Sequence, residues 1–248
     1  MVNYDSGIAN FKQKDIEMIQ HLAIIMDGNG RWAEQRGLSR SEGHRAGAKA
    51  ISGVARAALK AGIRYMTVYA FSTENWKRPQ AEVSTLMGLI SEFAVSELPN
   101  MMRDGVRLRT IGRTNDLPFA ARTALLRTID LTAKNDKLVL TVALSYGGRA
   151  EIVDAVNRII AEKRTTPVTE QDFASYLYAP DIPDPDRLIR TGGEKRLSNF
   201  LLWELSYAEL YVTDTYWPDF DEKELQKALE SFGGRKRRFG GLNGQNQQ

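Results

Sequence analysis

Short unbroken apolar runs alternate with longer segments whose apolar residues recur every three or four positions. The runs at 22–26, 63–70, 106–111, 138–144, 186–191 and 207–213 are too short for globular helices and predict strands, those at 22–26 and 138–144 buried. Between them, 44–61 carries Ala48, Ile51, Val54, Ala55 and Ala58 on one helical face and Arg45, Lys49, Ser52, Arg56 and Lys60 on the other. Gly62 then suits the position just past the helix end. Further helices are expected at 83–98, closed by Pro99, at 118–134, capped by Asn115 or Asp116, and at 151–162. Short helices are expected from Thr169 and at 200–205, and a last one at 221–232. Arg36, Arg40 and His44, spaced by four, are expected on one helical face.

This alternation predicts a single α/β domain with a six-stranded, mainly parallel sheet flanked by helices. The domain is expected over 21–232. It follows a polar N-terminal surface segment, 1–20, with a weakly amphipathic helix at 8–19. A basic, then Gly/Asn/Gln-rich tail at 233–248 is expected to be flexible. The helix at 83–98 is apolar on more than one face, which fits a helix packed on two sides and equally one lining an apolar cavity. Ala48, Ala70 and Leu138 are the other candidate walls.

Polar clusters follow the strands. The first is Asp27-Gly-Asn-Gly-Arg31, between strand 22–26 and a helix start. One reading is a plain strand-to-helix turn. A second is a dinucleotide fingerprint, since Gly28, Gly30 and Ala33 fit G-x-G-x-x-G/A. That reading needs an acid at the end of the next strand, and 43–73 contains no Asp or Glu at all. The third is a metal-assisted diphosphate site, with backbone N–H groups at the helix start, Asp27 for a divalent cation and Arg31 for phosphate.

Composition narrows the chemistry. With no Cys, thiolate metal sites are excluded; with only His21 and His44, a His-based one is disfavoured, and a cytoplasmic setting fits. A net charge of +3 is too small to argue for nucleic acid, and no run approaches 18 apolar residues. Phe71 to Pro79, Ser145 to Arg149 and Gly192 to Asn199 also follow strands, and ligands of open α/β sheets bind beyond strand carboxyl ends. One edge would thus gather Asp27, Arg31, Arg40, Arg78, Arg190 and Arg196, a set suited to a polyanion. No P-loop lysine or kinase motif is present. The surviving chemistry is departure of a diphosphate stabilised by a metal and arginines.

The stretches His21–Trp32, Thr67–Pro79, Ser145–Arg149 and Arg190–Trp203 resemble the cis-prenyltransferases, nearest to the bacterial undecaprenyl diphosphate synthases, and the likeness runs from His21 to about Gly241. The resemblance implies successive condensation of isopentenyl diphosphate onto farnesyl diphosphate with Mg²⁺, with the product growing into an apolar tunnel beside the sheet. It implies that Asp27 organises the metal, with Glu209 as a second metal-side acid. Gly28, Asn29, Gly30, Arg31, Arg40 and His44 would cradle the allylic diphosphate, near Trp32 and Trp76. Ser72, Thr73, Glu74, Asn75 and Arg78 would lie near the proton-loss step, and Arg190, Arg196, Leu197 and Ser198 would bind isopentenyl diphosphate. Some relatives place His at Lys195; a protonated lysine does not ligate Mg²⁺. The resemblance also implies a homodimer in which Arg238-Phe-Gly240 reaches the neighbouring subunit, and peripheral membrane association for product release. Two rivals stand beside this reading: a non-catalytic partner subunit, which would lack the Asp-Gly-Asn-Gly-Arg loop, and a relative that stops at a short product.

Overall fold

The computed structural model describes residues 19–232. The N-terminal helix expected at 8–19, apart from Ile19 itself, and the C-terminal tail with Arg238 lie outside the described residues. In chain order the strands are β1 (His21–Ile25), β2 (Tyr65–Ser72), β3 (Val106–Ile111), β4 (Leu138–Tyr146), β5 (Arg187–Arg190) and β6 (Glu209–Val212). The helices are α1 (Asn29–Glu34), α2 (Arg40–Lys60), α3 (Gln80–Ser96), α4 (Leu98–Asp104), α5 (Phe119–Thr132), α6 (Gly148–Ala161), α7 (Glu170–Ala174) and α8 (Glu222–Glu230).

The sheet order is β3-β4-β2-β1-β5-β6, and every adjacent pair is parallel, where the sequence implied only a mainly parallel sheet. Period-two alternation sends Leu22 and Ile24 of β1 to one face and Ala23 and Ile25 to the other. The first face carries the larger core, with Ile51 and Val54 of α2, Val83 and Met87 of α3, and Leu225 and Leu229 of α8. The second face carries Tyr146, Leu188 and Phe200. Because all strands run the same way, their carboxyl ends and the loops that follow share one edge.

Four local expectations are corrected. Arg36 does not share a helix with Arg40 and His44: α1 ends at Glu34, Gly37 turns the chain at φ +66°, and Ser39 starts α2 afresh. Ser39 accepts the Glu42 N–H while the Glu42 carboxylate accepts the Ser39 N–H, a capping box legible in Ser39-Arg-Ser-Glu42. Pro99 does not close the preceding helix but sits in the first turn of α4, where its missing N–H is not needed. Pro118, rather than Asn115 or Asp116, is the residue before α5. The helix expected at 200–205 is a series of turns, because Ser198, Asn199 and Leu201 have φ of +51°, +62° and +43°.

Candidate active site

Asp27 follows β1, at the edge where β1 and β5 end side by side with Ile25 opposite Arg190. One carboxylate oxygen accepts the Gly28 N–H at 2.7 Å, with Arg31 at 3.3 Å, and the other accepts from Arg190 Nη2 at 2.8 Å. Burial alone would raise this carboxyl; the Arg190 hydrogen bond and charge, then Arg31 and the Gly28 N–H, outweigh it and hold it below the usual carboxylate range. Gly28 is required here: its φ is +104°, and a Cβ would lie 2.5 Å from Tyr216 Cδ1. Thr191 Oγ donates to the Asp27 carbonyl at 2.7 Å and fastens the loop to β5.

Arg190 is 4% exposed, and its guanidinium organises the neighbouring loop. Besides Asp27, Nη1 donates to Ser198 Oγ at 2.7 Å and to the Arg196 carbonyl. Arg196 itself is exposed and paired with Glu194, while Leu197 packs against the second core. Asp27, Arg190, Arg196 and Ser198 line one polar cleft of about 1280 Å³ together with Ser72, Glu74, Asn75 and Arg78. The sequence placed all eight of these residues at one site. In the turn after β2, Asn75 Oδ1 accepts the Ser72 N–H at 3.1 Å, and Thr73 lies against Gly147.

A second cluster gathers on Glu82, which the sequence reading missed. Its carboxylate accepts from Arg78 at 2.9 Å, lies 3.3 Å from His44 Nε2 and 3.9 Å from Arg40 Nε. Burial would raise Glu82, but Arg78, His44 and Arg40 together hold it low. Burial lowers His44, which Glu82 only partly offsets. The signal was available: Glu82 lies four residues after Arg78 at the start of a helix. Asn29 sits between the two clusters with a buried Oδ1 that has no hydrogen-bond partner, closely overlain by Gly43 and Gly47 of α2.

Not every expected residue converges. Gly30 packs under the Arg40 guanidinium, 3.1 Å from where a Cβ would stand. Trp32 does not line the cleft; its Nε1 donates to Asp219 at 2.7 Å and Arg36 lies over its ring. Trp76 Nε1 donates to Ser145 at 2.9 Å, and its ring meets Phe71 edge-on. Glu209 begins β6 opposite Arg187, whereas Asp27 lies beyond the Arg190 end. Three ladder steps, roughly 10 Å, separate those ends, so Asp27 and Glu209 of one chain do not meet at a shared metal.

The polar cleft opens into an apolar one of about 640 Å³ walled by Ala48 and Ile51 of α2, Leu89, Ile90 and Phe93 of α3, and Leu125 of α5. The two share Met26, Asn29, His44, Ala70 and Leu86. Leu138, expected in this wall, is instead fully buried at the start of β4, because the cleft lies further along that strand at Val142. The arrangement suits an amphiphile with an anionic head and a hydrocarbon tail.

Residues 25–240 match the family model described as "Putative undecaprenyl diphosphate synthase". The chain belongs to this family. It is 54% identical over 223 residues to an isoprenyl transferase of Fusobacterium nucleatum, covering 90% of this chain and 96% of that one. It is 52% identical over 228 residues to an isoprenyl transferase of Heliobacterium mobile, covering 90% and 88%. Lavandulyl diphosphate synthase from Lavandula x intermedia, solved with dimethylallyl diphosphate, superposes with a TM-score of 0.86 at 34% identity, covering 90% of this chain and 98% of that one. The protein is a cis-prenyltransferase that makes a polyprenyl diphosphate from isoprenoid diphosphates. The partner-subunit alternative falls with this assignment. Among the described residues, no helix is long and apolar enough to cross a membrane.

Proposed function

We propose that this prenyltransferase condenses isopentenyl diphosphate in cis onto farnesyl diphosphate, repeatedly, to give a long-chain product of the undecaprenyl type, the lipid-carrier precursor for bacterial cell-wall synthesis. The observation that carries this is that the two clefts share lining residues, so that a diphosphate could sit among arginines with its hydrocarbon tail along α3. The lavender relative, which shares this fold, was solved with dimethylallyl diphosphate, and this supports an allylic diphosphate as a substrate. In each cycle the allylic C–O bond breaks, a C–C bond forms to isopentenyl diphosphate, and one proton is lost. Each buried CH₂ contributes about 0.8 kcal/mol, so a lengthening tail is retained increasingly well until the cleft is full.

Arg40, His44 and Arg78 would take the allylic diphosphate, displacing the carboxylate of Glu82, while Arg190, Arg196 and Ser198 would take isopentenyl diphosphate. Mg²⁺ fits Asp27 as a substrate-borne ion. Among the described residues no group of three acids or histidines forms a cage, and Mg²⁺ is ordinarily held by one or two carboxylates with phosphate oxygens and water. The bound ion would supply charge stabilisation to the departing diphosphate. Asn75 orders the turn; an amide is a poor base, so we assign proton acceptance to a phosphate oxygen or water. We further propose a cytoplasmic setting, peripheral contact with a membrane for product release, and a homodimer in which the catalytic domain is 21–232 and Arg238-Phe-Gly240 of the tail reaches the neighbouring subunit's phosphate site.

Incubation with farnesyl diphosphate and radiolabelled isopentenyl diphosphate tests this directly. A ladder of long products that needs Mg²⁺ and vanishes with a chelator is expected. A single short product, or synthesis indifferent to chelation, would contradict the reading.

A further inference from the structure

Three strand-end loops are fastened by one side chain outside the Asp27 and Glu82 clusters. Asn199 holds a left-handed backbone at φ +62°, next to Ser198 at +51°. Its Nδ2 donates to Glu74 Oε1 at 3.0 Å, in the turn after β2. Its Oδ1 accepts the Arg149 N–H at 2.9 Å and its carbonyl accepts the Gly148 N–H at 2.7 Å, both in the first turn of α6. A Cβ on Gly147 would lie 2.7 Å from Asn199 Nδ2, so the amide occupies room that only glycine leaves. One residue earlier, Ser198 receives Arg190; one residue after Glu74 stands Asn75, which orders Ser72. The side chain therefore bridges the two loops assigned above to isopentenyl diphosphate and to the proton-loss region.

We propose that Asn199 is a positioning residue for the condensation, holding the Arg190–Ser198 loop at a fixed distance from the Glu74–Asn75 turn and the start of α6. This rests on the assignment of that loop to isopentenyl diphosphate. Asn and Asp both tolerate a left-handed backbone, so Asn199→Asp leaves the main chain undisturbed and retains the acceptor for Arg149. It replaces the donor to Glu74 with a carboxylate facing a carboxylate. The expected result is a KM for isopentenyl diphosphate raised roughly tenfold or more, the scale of coupling within one hydrogen-bond network, with the KM for farnesyl diphosphate close to wild type.

Adding Glu74→Gln reverses the bond, since the glutamine amide then donates to the new carboxylate. Measured against Glu74→Gln alone, which carries whatever Glu74 itself contributes to the site, adding Asn199→Asp is expected to raise the isopentenyl diphosphate KM by no more than about threefold, as coupled partners do in a mutant cycle. An Asn199→Asp effect as large in the Glu74→Gln background as in wild type, or a single variant that moves both KM values equally, overturns the proposal. Arg196→Ala separates this from failure of the underlying assignment. If that change leaves the isopentenyl diphosphate KM unmoved, the loop does not bind this substrate; if it raises the KM while the Asn199→Asp loss goes unrescued, only the positioning role is wrong.

Discussion

The polar and apolar clefts meet at Met26, Asn29, His44, Ala70 and Leu86, yet they are built in opposite ways. In the polar half every strong charge is already engaged: Asp27 by Arg190 and Arg31, and Glu82 by Arg78, His44 and Arg40. The cations are held in place before substrate arrives by carboxylates that a diphosphate can replace or join, so little reorganisation is left for the reaction itself. The apolar half has no such partners. It is a space between α2, α3 and the sheet, and it recognises its occupant by volume and by removing hydrocarbon from water. Head-group chemistry and tail length are therefore expected to respond to separate substitutions.

Asp27→Ala breaks the comparison most severely. Removing one preorganised charge stabiliser costs about 10²-fold or more in turnover, and because Asp27 is a loop residue the fold should survive, as circular dichroism would report. Turnover near wild type at saturating Mg²⁺ would remove Asp27 from the mechanism. Next comes Arg190→Lys. One ammonium nitrogen does not reproduce the two separated Nη groups that reach Asp27 on one side and Ser198 and the Arg196 carbonyl on the other, and losing charge-assisted bonds of this kind corresponds to roughly 10- to 100-fold in kcat/KM. Steady-state kinetics would check it, with the distribution of product lengths expected to stay as in wild type.

A smaller effect separates Asp27 from a carboxyl that its surroundings push the other way. Glu204 is driven up to about 8, by burial and then by the neighbouring charge of Glu151, with which it shares a hydrogen bond. Glu151 in turn accepts from the Tyr146 hydroxyl and the Tyr178 N–H. The folded state thus keeps a proton that the unfolded chain releases above about 4.5, so this contribution to stability is lost as pH rises through about 8. Buried His21, lowered to about 4 chiefly by burial, has the opposite sign: its contribution is present above 6.5 and is lost as pH falls toward 4. Between pH 6.5 and 8 the change comes from the buried Glu151–Glu204 pair, both members of which burial raises. There Tm should fall by roughly 5 °C, from about 1.4 kcal/mol per pH unit and 2–4 °C per kcal/mol. Glu204→Gln should flatten that slope in a calorimetric series, and an unchanged slope would contradict the shared proton.

The polar half was the more legible one in the sequence, for a physical reason. Arginines and an acid beside glycines after apolar runs have no role in a core, so their types betray the strand-end loops, and parallel strands bring those loops to one edge. Glu82 escaped because an acid in a helix's first turn also reads as a cap or dipole partner. Trp32 was placed near the cradle by its neighbours in sequence, while its indole N–H is drawn to Asp219, almost two hundred positions away. Glu209 was misplaced because residue type does not say which end of a strand it occupies. The apolar half was legible only as one of two alternatives, although Ala48, Ala70 and the helix at 83–98 do line it. Leu86, Ile90 and Phe93 facing a cleft look the same along the chain as residues facing a core, and Leu138, which does face the core, was assigned to the wall.

Ala70 stands at the seam of the two clefts, and the account's central claim is that they form one site whose apolar half sets how far the tail can grow. The direct test is the product ladder of Ala70→Leu, resolved by thin-layer chromatography with farnesyl diphosphate, radiolabelled isopentenyl diphosphate and Mg²⁺. The larger side chain narrows the passage along α3. The account predicts shorter products, with Mg²⁺ dependence and the KM for isopentenyl diphosphate unchanged. A ladder identical to wild type would mean that the growing chain does not pass this wall.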